Sequence, residues 1–163
     1  MNKIVKRSDK LAFFGVQEAG GATIYYRMKG FSEISTKKNP LEYSRQYVDE
    51  EFEQSDVVGY SPSISYAFDQ FLDDPVHKDL VSIAENELLG DSAVRSILMV
   101  DLSQADETGS CPAVKRDFSV ILDTEGNSMD AYTYSGTMKV KGEKVFGHAV
   151  STDEWESCSF TQA

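Results

Sequence analysis

The groups in this sequence that could do covalent or metal chemistry are few. They are two histidines (His77 and His148), two cysteines (Cys111 and Cys158) and a serine-studded run from Tyr60 to Asp69. A serine nucleophile needs a base at hand, yet Ser61 and Ser65 lie in no Gly-x-Ser-x-Gly elbow and beside no histidine. His77 falls in the first turn of a helical pattern, where a surface histidine needs no special role. His148 alternates with Phe146 and Val150 and reads as a core or rim residue of a strand. A zinc site drawn from His148, Cys158 and Cys111 lacks the short paired spacings of such sites. Adjacent carboxylates, Asp73-Asp74 and Glu50-Glu51, have the makings of an acid–base pair. With 27 acidic residues such pairs arise by chance, and Asp74 has the position of a helix cap. Gly20-Gly21 precedes a strand and lacks the Lys-Ser or Lys-Thr of a phosphate loop. The chain reads as a non-enzyme, with no catalytic residue, no cofactor and no metal ligand set.

Composition narrows the class. A chain of 163 residues, 40% hydrophobic and 26% charged, fits one globular domain able to bury a core without staples. No apolar run approaches the roughly 18 to 20 residues of a bilayer span. The basic N-terminus has no apolar h-region and no cleavage site, so no signal peptide is expected. Two cysteines far apart in sequence read as idle thiols in a reducing compartment. A net charge of −11 argues against gripping nucleic acid through its phosphates. The charge is lopsided: residues 1–45 carry 9 of the 16 basic groups and only 4 of the 27 acidic ones. That is either drift without consequence or a positive segment that docks on the negative body of a neighbouring copy.

The elements that would hold these residues are mostly strands. From Tyr60 to Asp69 the sequence alternates, with Tyr60, Pro62, Ile64, Tyr66 and Phe68 on one face. Ser61, Ser63, Ser65, Ala67 and Asp69 take the other. Strands solvated on one face usually carry Lys, Glu or Arg there, so this small hydroxylated face is expected to look onto a shaped surface. It recurs at Thr133, Ser135 and Thr137, opposite Tyr132, Tyr134 and Met138, so the two strands are expected to share one sheet face. Residues 1–21 show no steady period and read as an N-terminal arm with an apolar patch from Leu11 to Phe14. Ser35–Pro40 reads as a turn-rich break. Leu41–Val48 and Val57–Phe68, joined by an acidic tip, read as a long hairpin with little apolar support of its own.

Asp74 and Pro75 start a helix whose apolar stripe is Val76, Leu80, Ile83, Ala84 and Leu88, with Gly90 placed to stop it. Further alternating runs follow, with no βαβ rhythm and no internal repeat. The expected architecture is a single domain over 1–163: a mainly antiparallel β-sandwich or open barrel with one flanking helix at about 75–88. Its appendages are the arm at 1–21 and the hairpin at about 41–60.

The run Leu41-Glu42-Tyr43-Ser44-Arg45-Gln46-Tyr47-Val48-Asp49-Glu50, continued by Asp56-Val57-Val58-Gly59-Tyr60-Ser61-Pro62-Ser63-Ile64, resembles the tail tube proteins (major tail proteins) of long-tailed phages and prophages of Gram-positive hosts. The helix and the closing strands fall where that family would put them. The resemblance implies a homo-oligomer: hexameric rings stacked into a hollow tube that conducts double-stranded DNA without specific binding. It implies a virion-tail location, assembly in the bacterial host cytoplasm, no membrane association, and tape-measure, terminator and distal tail proteins as partners. The hairpin, carrying Tyr43, Arg45, Tyr47, Asp49, Glu50, Glu51, Phe52 and Glu53, would then reach between subunits and rings. The N-terminal segment, with Lys6, Arg7, Lys10, Phe13 and Phe14, would help stacking.

A channel for a polyanion should not hold it, so the face bearing Ser61, Ser63, Ser65, Asp69, Thr133, Ser135 and Thr137 is the expected lumen wall. A tube protein of a type VI-like or contractile injection system is an alternative of the same kind. A carbohydrate- or peptide-binding β-sandwich, stacking ligand on Tyr25, Tyr43, Tyr47, Tyr132 or Trp155, is one of a different class.

Overall fold

Phe13 and Phe14 are consecutive, both fully buried, and point into two different cores. Strand neighbours leave on opposite faces, so the strand that carries them must be covered on both sides. That strand is β1 (Lys10–Gln17) of a computed structural model in which residues 2–163 are described. In chain order the elements are β1, β2 (Thr23–Arg27), β3 (Phe31–Lys37), β4 (Pro40–Arg45), β5 (Gln54–Tyr60), β6 (Ser63–Asp69), α1 (Pro75–Glu85), β7 (Val94–Asp101), β8 (Cys111–Glu125), β9 (Thr133–Val140), β10 (Val145–Val150) and β11 (Ser157–Gln162). Nine strands form one antiparallel sheet in the order β10-β11-β2-β1-β7-β8-β9-β6-β3, and β4 and β5 pair only with each other.

A second pairing, β10 to β8, closes the first six of these strands into a barrel. The long strand β8 makes this geometry. On the edge away from β7, its Cys111–Lys115 segment pairs with β10 and its Phe118–Glu125 segment pairs with β9. The first half of β8 therefore belongs to the barrel, and the second half leads out into an open wing, β9-β6-β3.

Phe13, Leu98, Val100, Cys111, Ala113 and Ala149 fill the barrel, with Trp155 edge-on to Phe13 at 6.1 Å. The opposite side chains of the same strands, Phe14, Ile97 and Phe118, join Ile64, Tyr66, Phe68 and Met138 of the wing in the second core, which α1 caps. Burying a Phe, Leu or Ile side chain contributes roughly 1.5–3 kcal/mol, so these two clusters dominate the stability of the fold.

Two local devices hold the wing against the barrel. His77 is fully buried in α1. Its Nδ1 accepts from the Phe71 N–H at 3.0 Å, and its Nε2–H donates to the Lys29 carbonyl at 2.7 Å, which fixes the neutral Nε2–H tautomer. The imidazole stacks on Phe68 at 4.6 Å. The expectation of a surface histidine is therefore corrected: His77 ties the end of β2, the exit of β6 and the helix start together. The second device is Gly136, where the Ile121 carbonyl occupies the space a Cβ would take. That carbonyl accepts from the Tyr66 hydroxyl at 2.9 Å, next to a register shift between Leu122 and Thr124.

The helix begins as the sequence indicates, with Asp74 Oδ1 accepting from the Val76 and His77 N–H groups and Pro75 in the first turn. It ends earlier than expected. Glu87 takes a left-handed conformation (φ 47°), the Leu88 N–H donates to the Ile83 carbonyl, and the Glu87 N–H donates to Ala84. That is a Schellman closure without glycine, and Gly90 opens a short 3₁₀ turn instead.

Three further expectations change. Residues 10–17 are core strand, not arm, so Phe13 and Phe14 are unavailable for stacking on a neighbour. Ser35–Lys37 continue β3, and the break is limited to Lys38-Asn39. Tyr60–Asp69 is two strands: β5 ends at Tyr60 and β6 starts at Ser63. Pro62 has no N–H to give a ladder, while its carbonyl accepts from Val140 N–H at 3.1 Å.

Candidate functional site

No helix among the described residues is long and apolar enough to cross a membrane. Among them, no three His, Cys, Asp or Glu side chains are grouped as metal ligands would be. His148 is exposed on β10, while Cys111 and Cys158 are buried thiols. Burial pushes the Cys158 thiol up to about 12 and raises that of Cys111, so neither is a ready thiolate. What the chain presents instead is surface.

The first surface is the hydroxylated sheet face. β6 and β9 are direct antiparallel neighbours, with Ser63 opposite Lys139, Ser65 opposite Thr137, Ala67 opposite Ser135, and Asp69 opposite Thr133. Residues opposite each other share a face, so the two runs singled out by alternation form one surface. The flanking strands extend it: Ser35 stands opposite Ser65 from β3, and Ser119 and Thr124 stand opposite Lys139 and Ser135 from β8. Lys37 and Lys139 stand in one end row and Asp69 in the other, Glu33 stands one row further in, opposite Ala67, and the exposed Ile121 stands opposite Thr137. Ile64, Tyr66 and Phe68 are buried behind it. Ser61 is not part of this face. It lies in the break before β6, its N–H donating to the Asn39 carbonyl and its own carbonyl accepting from Asn39 Nδ2.

The second surface is the hairpin β4–β5. None of its residues is buried, and Leu41, Tyr43, Tyr47, Val57, Val58 and Phe52 are more than half exposed. Arg45 is clasped on one face: its guanidinium lies over the Tyr43 and Tyr47 rings at 5.3 and 5.7 Å, Nε donates to the Tyr47 hydroxyl, and Nη1 pairs with Asp56 at 2.6 Å. At the tip, Gln54 Nε2 donates to Glu50. Asp49, Glu51, Phe52 and Glu53 project from the same tip among the exposed or half-exposed residues. An isolated two-stranded hairpin is marginal in water, and this one displays apolar side chains that a lone subunit leaves wet.

The N-terminal cations are split between arm and body. Lys6 N–H donates to Asp9 Oδ2 at 2.8 Å, closing a short turn, and Arg7 Nη1 donates to the Lys10 carbonyl. Lys10 itself opens β1. Ile4 and Val5 are exposed ahead of that turn. The five aromatics considered as a stacking platform do not converge. Tyr25 and Trp155 belong to the barrel core, Tyr43 and Tyr47 clasp Arg45, and Tyr132 donates to Glu125.

One turn is electrostatically set. Between β10 and β11, Asp153 accepts from the Ser157 hydroxyl (2.6 Å), the Ser157 N–H (3.0 Å) and the Ser151 hydroxyl, which holds its carboxyl down to about 2. Glu154 and Trp155, both at positive φ, are kept in place by this bonding, and Glu156 pairs with Arg27 and Lys29 of the β2 region. The turn thereby closes one end of the barrel over Trp155.

No protein-family model matches the chain, and no curated protein sequence does. The fold does have relatives among solved structures. A chain from the tail of an empty GTA particle, determined by helical refinement with C6 symmetry, superposes with a TM-score of 0.60 at 16% identity. The superposition covers 86% of this chain and 97% of that one. A chain from the six-fold symmetrised baseplate of the anti-feeding prophage gives 0.49 at 10% identity, over 90% and 97%. The chain thus has a mainly β, antiparallel fold with one helix, and it shares that fold with a protein of a symmetric tail.

Proposed function

We propose that this chain is the building block of a phage-type tail tube: six copies close into a ring, and rings stack into a hollow tube through which double-stranded DNA passes. The observation that carries the reading is the β4–β5 hairpin, a separate two-stranded sheet whose apolar Leu41, Phe52, Val57 and Val58 are more than half exposed. Such an element is a cost to a monomer and a contact in an assembly. The fold shared with a chain of a C6-symmetric tail supports the ring, since a head-to-tail contact repeated by six-fold rotation closes.

The hydroxylated face suits the lumen. Serine and threonine give DNA no fixed counter-charge, and each phosphate contact added per subunit would be multiplied along the tube. Partners at the tube's ends would be tape-measure, terminator and distal tail proteins, and the site of action would be the virion tail. Negative-stain microscopy of the concentrated protein tests the reading. Rings or tubes about six-fold in projection are expected. A protein that stays monomeric at millimolar concentration while binding a glycan or peptide would overturn it.

A further inference from the structure

At the root of the hairpin lies a groove of about 870 Å³, open between the wing and the outer wall of the barrel. Its floor is apolar: Ile64, Ile97, Met99 and Phe118. Its rim is basic: Lys10, Lys38, Arg116 and Lys144, against the single acid Glu143. None of these four cations has a carboxylate within ion-pair distance among the described residues. A second hollow shares Lys10, Thr36 and Met99 with it and adds Lys6 and Arg7 to the same basic strip. In a chain of net charge −11 this is a local reversal of sign.

The hairpin tip is its complement. It carries an exposed Val48 and Phe52 flanked by Asp49, Glu51 and Glu53, whose carboxylates take no hydrogen bond or ion pair within the described residues. The tip cannot reach the groove of its own chain. Lys38 and Tyr60 line the groove at the hairpin's base, and β4 carries the tip roughly 20 Å away at about 3.4 Å per residue.

We infer that the groove is the socket for the hairpin tip of a second copy, with Val48 and Phe52 seated on the apolar floor and the three tip carboxylates against the lysine rim. The inference rests on the tube reading and adds the partner surface that reading lacks. Socket and plug lie at opposite ends of one arm, so each copy receives one neighbour and reaches the next. The contact is heterologous, and the length of the hairpin sets the step from copy to copy. It also accounts for the uneven charge of the sequence, because the basic N-terminal third supplies Lys10 and Lys38 to the socket.

Two charge-reversed proteins test it. One carries Asp49→Lys, Glu51→Lys and Glu53→Lys in the tip. The other carries Lys10→Glu, Lys38→Glu and Lys144→Glu in the rim, leaving Arg116 to hold the Gly142 carbonyl. All six positions lie on the surface, and circular dichroism at low concentration checks that both variants fold. By sedimentation, each variant alone needs about tenfold or more protein than the unaltered chain to assemble, because like charges then meet in every contact. Mixed one to one, they assemble again, since each tip now finds an opposite rim on the other variant.

A rim-reversed protein that assembles like the parent, or a mixture that stays apart, overturns the socket while leaving the tube reading standing. Failure of the unaltered chain to assemble under any condition overturns both.

Discussion

If the hairpin serves assembly as proposed, removing it should leave folding intact and abolish tubes. Lys37 and Ser63 are the last facing pair of β3 and β6, so these strands can be joined directly once the arm is gone. Replacing Asn39–Ser61 with Asn-Gly would make Lys38 and Pro62 the flanks of a two-residue hairpin loop. The loop becomes roughly tenfold shorter, which lowers its closure cost by about 2 kcal/mol. Against this stand the lost Asn39 side-chain bonds to Ser61 and Ser63 and the solvent-screened Arg45–Asp56 pair, which contributes little. No buried apolar residue is removed, because none of the core residues lies between Asn39 and Ser61.

The shortened protein should therefore unfold within about 2 kcal/mol of the parent, or a Tm shift of no more than about 8 °C. Thermal unfolding by circular dichroism at micromolar concentration measures that shift, and negative-stain microscopy of the concentrated sample measures assembly. The expected pair of results is a folded protein and no tubes. Loss of cooperative unfolding would show that the arm is part of the subunit's own fold, and tubes of ordinary length would show that assembly does not use it.

Gly136→Ala should lower stability by about 1–3 kcal/mol or abolish soluble expression, because the new methyl meets the Ile121 carbonyl; chemical denaturation reads the loss. Asp153 has a folded-state carboxyl held near 2 against an ordinary value of 3.8, so between about pH 4 and pH 2 the unfolded chain binds the extra proton and stability falls as pH falls. Asp153→Asn should flatten that part of the acid-denaturation curve, and an unchanged slope would remove the turn from the account. A cysteine at Ser65 or Ser135 should react with a bulky maleimide in the monomer and be protected in the tube, over a quiet background of two buried thiols. Equal labelling before and after assembly would take the hydroxylated face out of the lumen.

What could be read in the sequence and what could not follows from how each element is covered. β6 and β9 are covered on one side only, so period-two alternation exposed both the aromatic backing and the hydroxylated face. β1 divides two cores, and its Leu11-Ala12-Phe13-Phe14 run therefore lacks the alternation that marks a strand. The helix start was written in Asp74 and Pro75, whereas its end depends on Glu87 adopting a conformation that glycine usually supplies. The break at Ser61-Pro62 was masked because Tyr60, Pro62 and Ile64 keep the same parity across it. The groove was beyond reach, since Lys10, Lys38, Arg116 and Lys144 come from four separate segments and meet only when wing and barrel close.

The barrel seam has a consequence for timing. Its last strand, β11, bonds to β2, and the ion pair beside the seam joins Arg27 to Glu156 across 129 positions of sequence. Contacts so distant along the chain form late and slowly, after the entropy of a very large loop has been overcome. While a ribosome is still holding the C-terminal strands, β2 has an open edge and the barrel core is unsealed. The wing, helix and arm are complete earlier, because β3, β6 and β9 all precede β10. A nascent chain would thus display its arm before it has a finished body, and closure of the seam is the step that separates a partial chain from one with a sealed barrel.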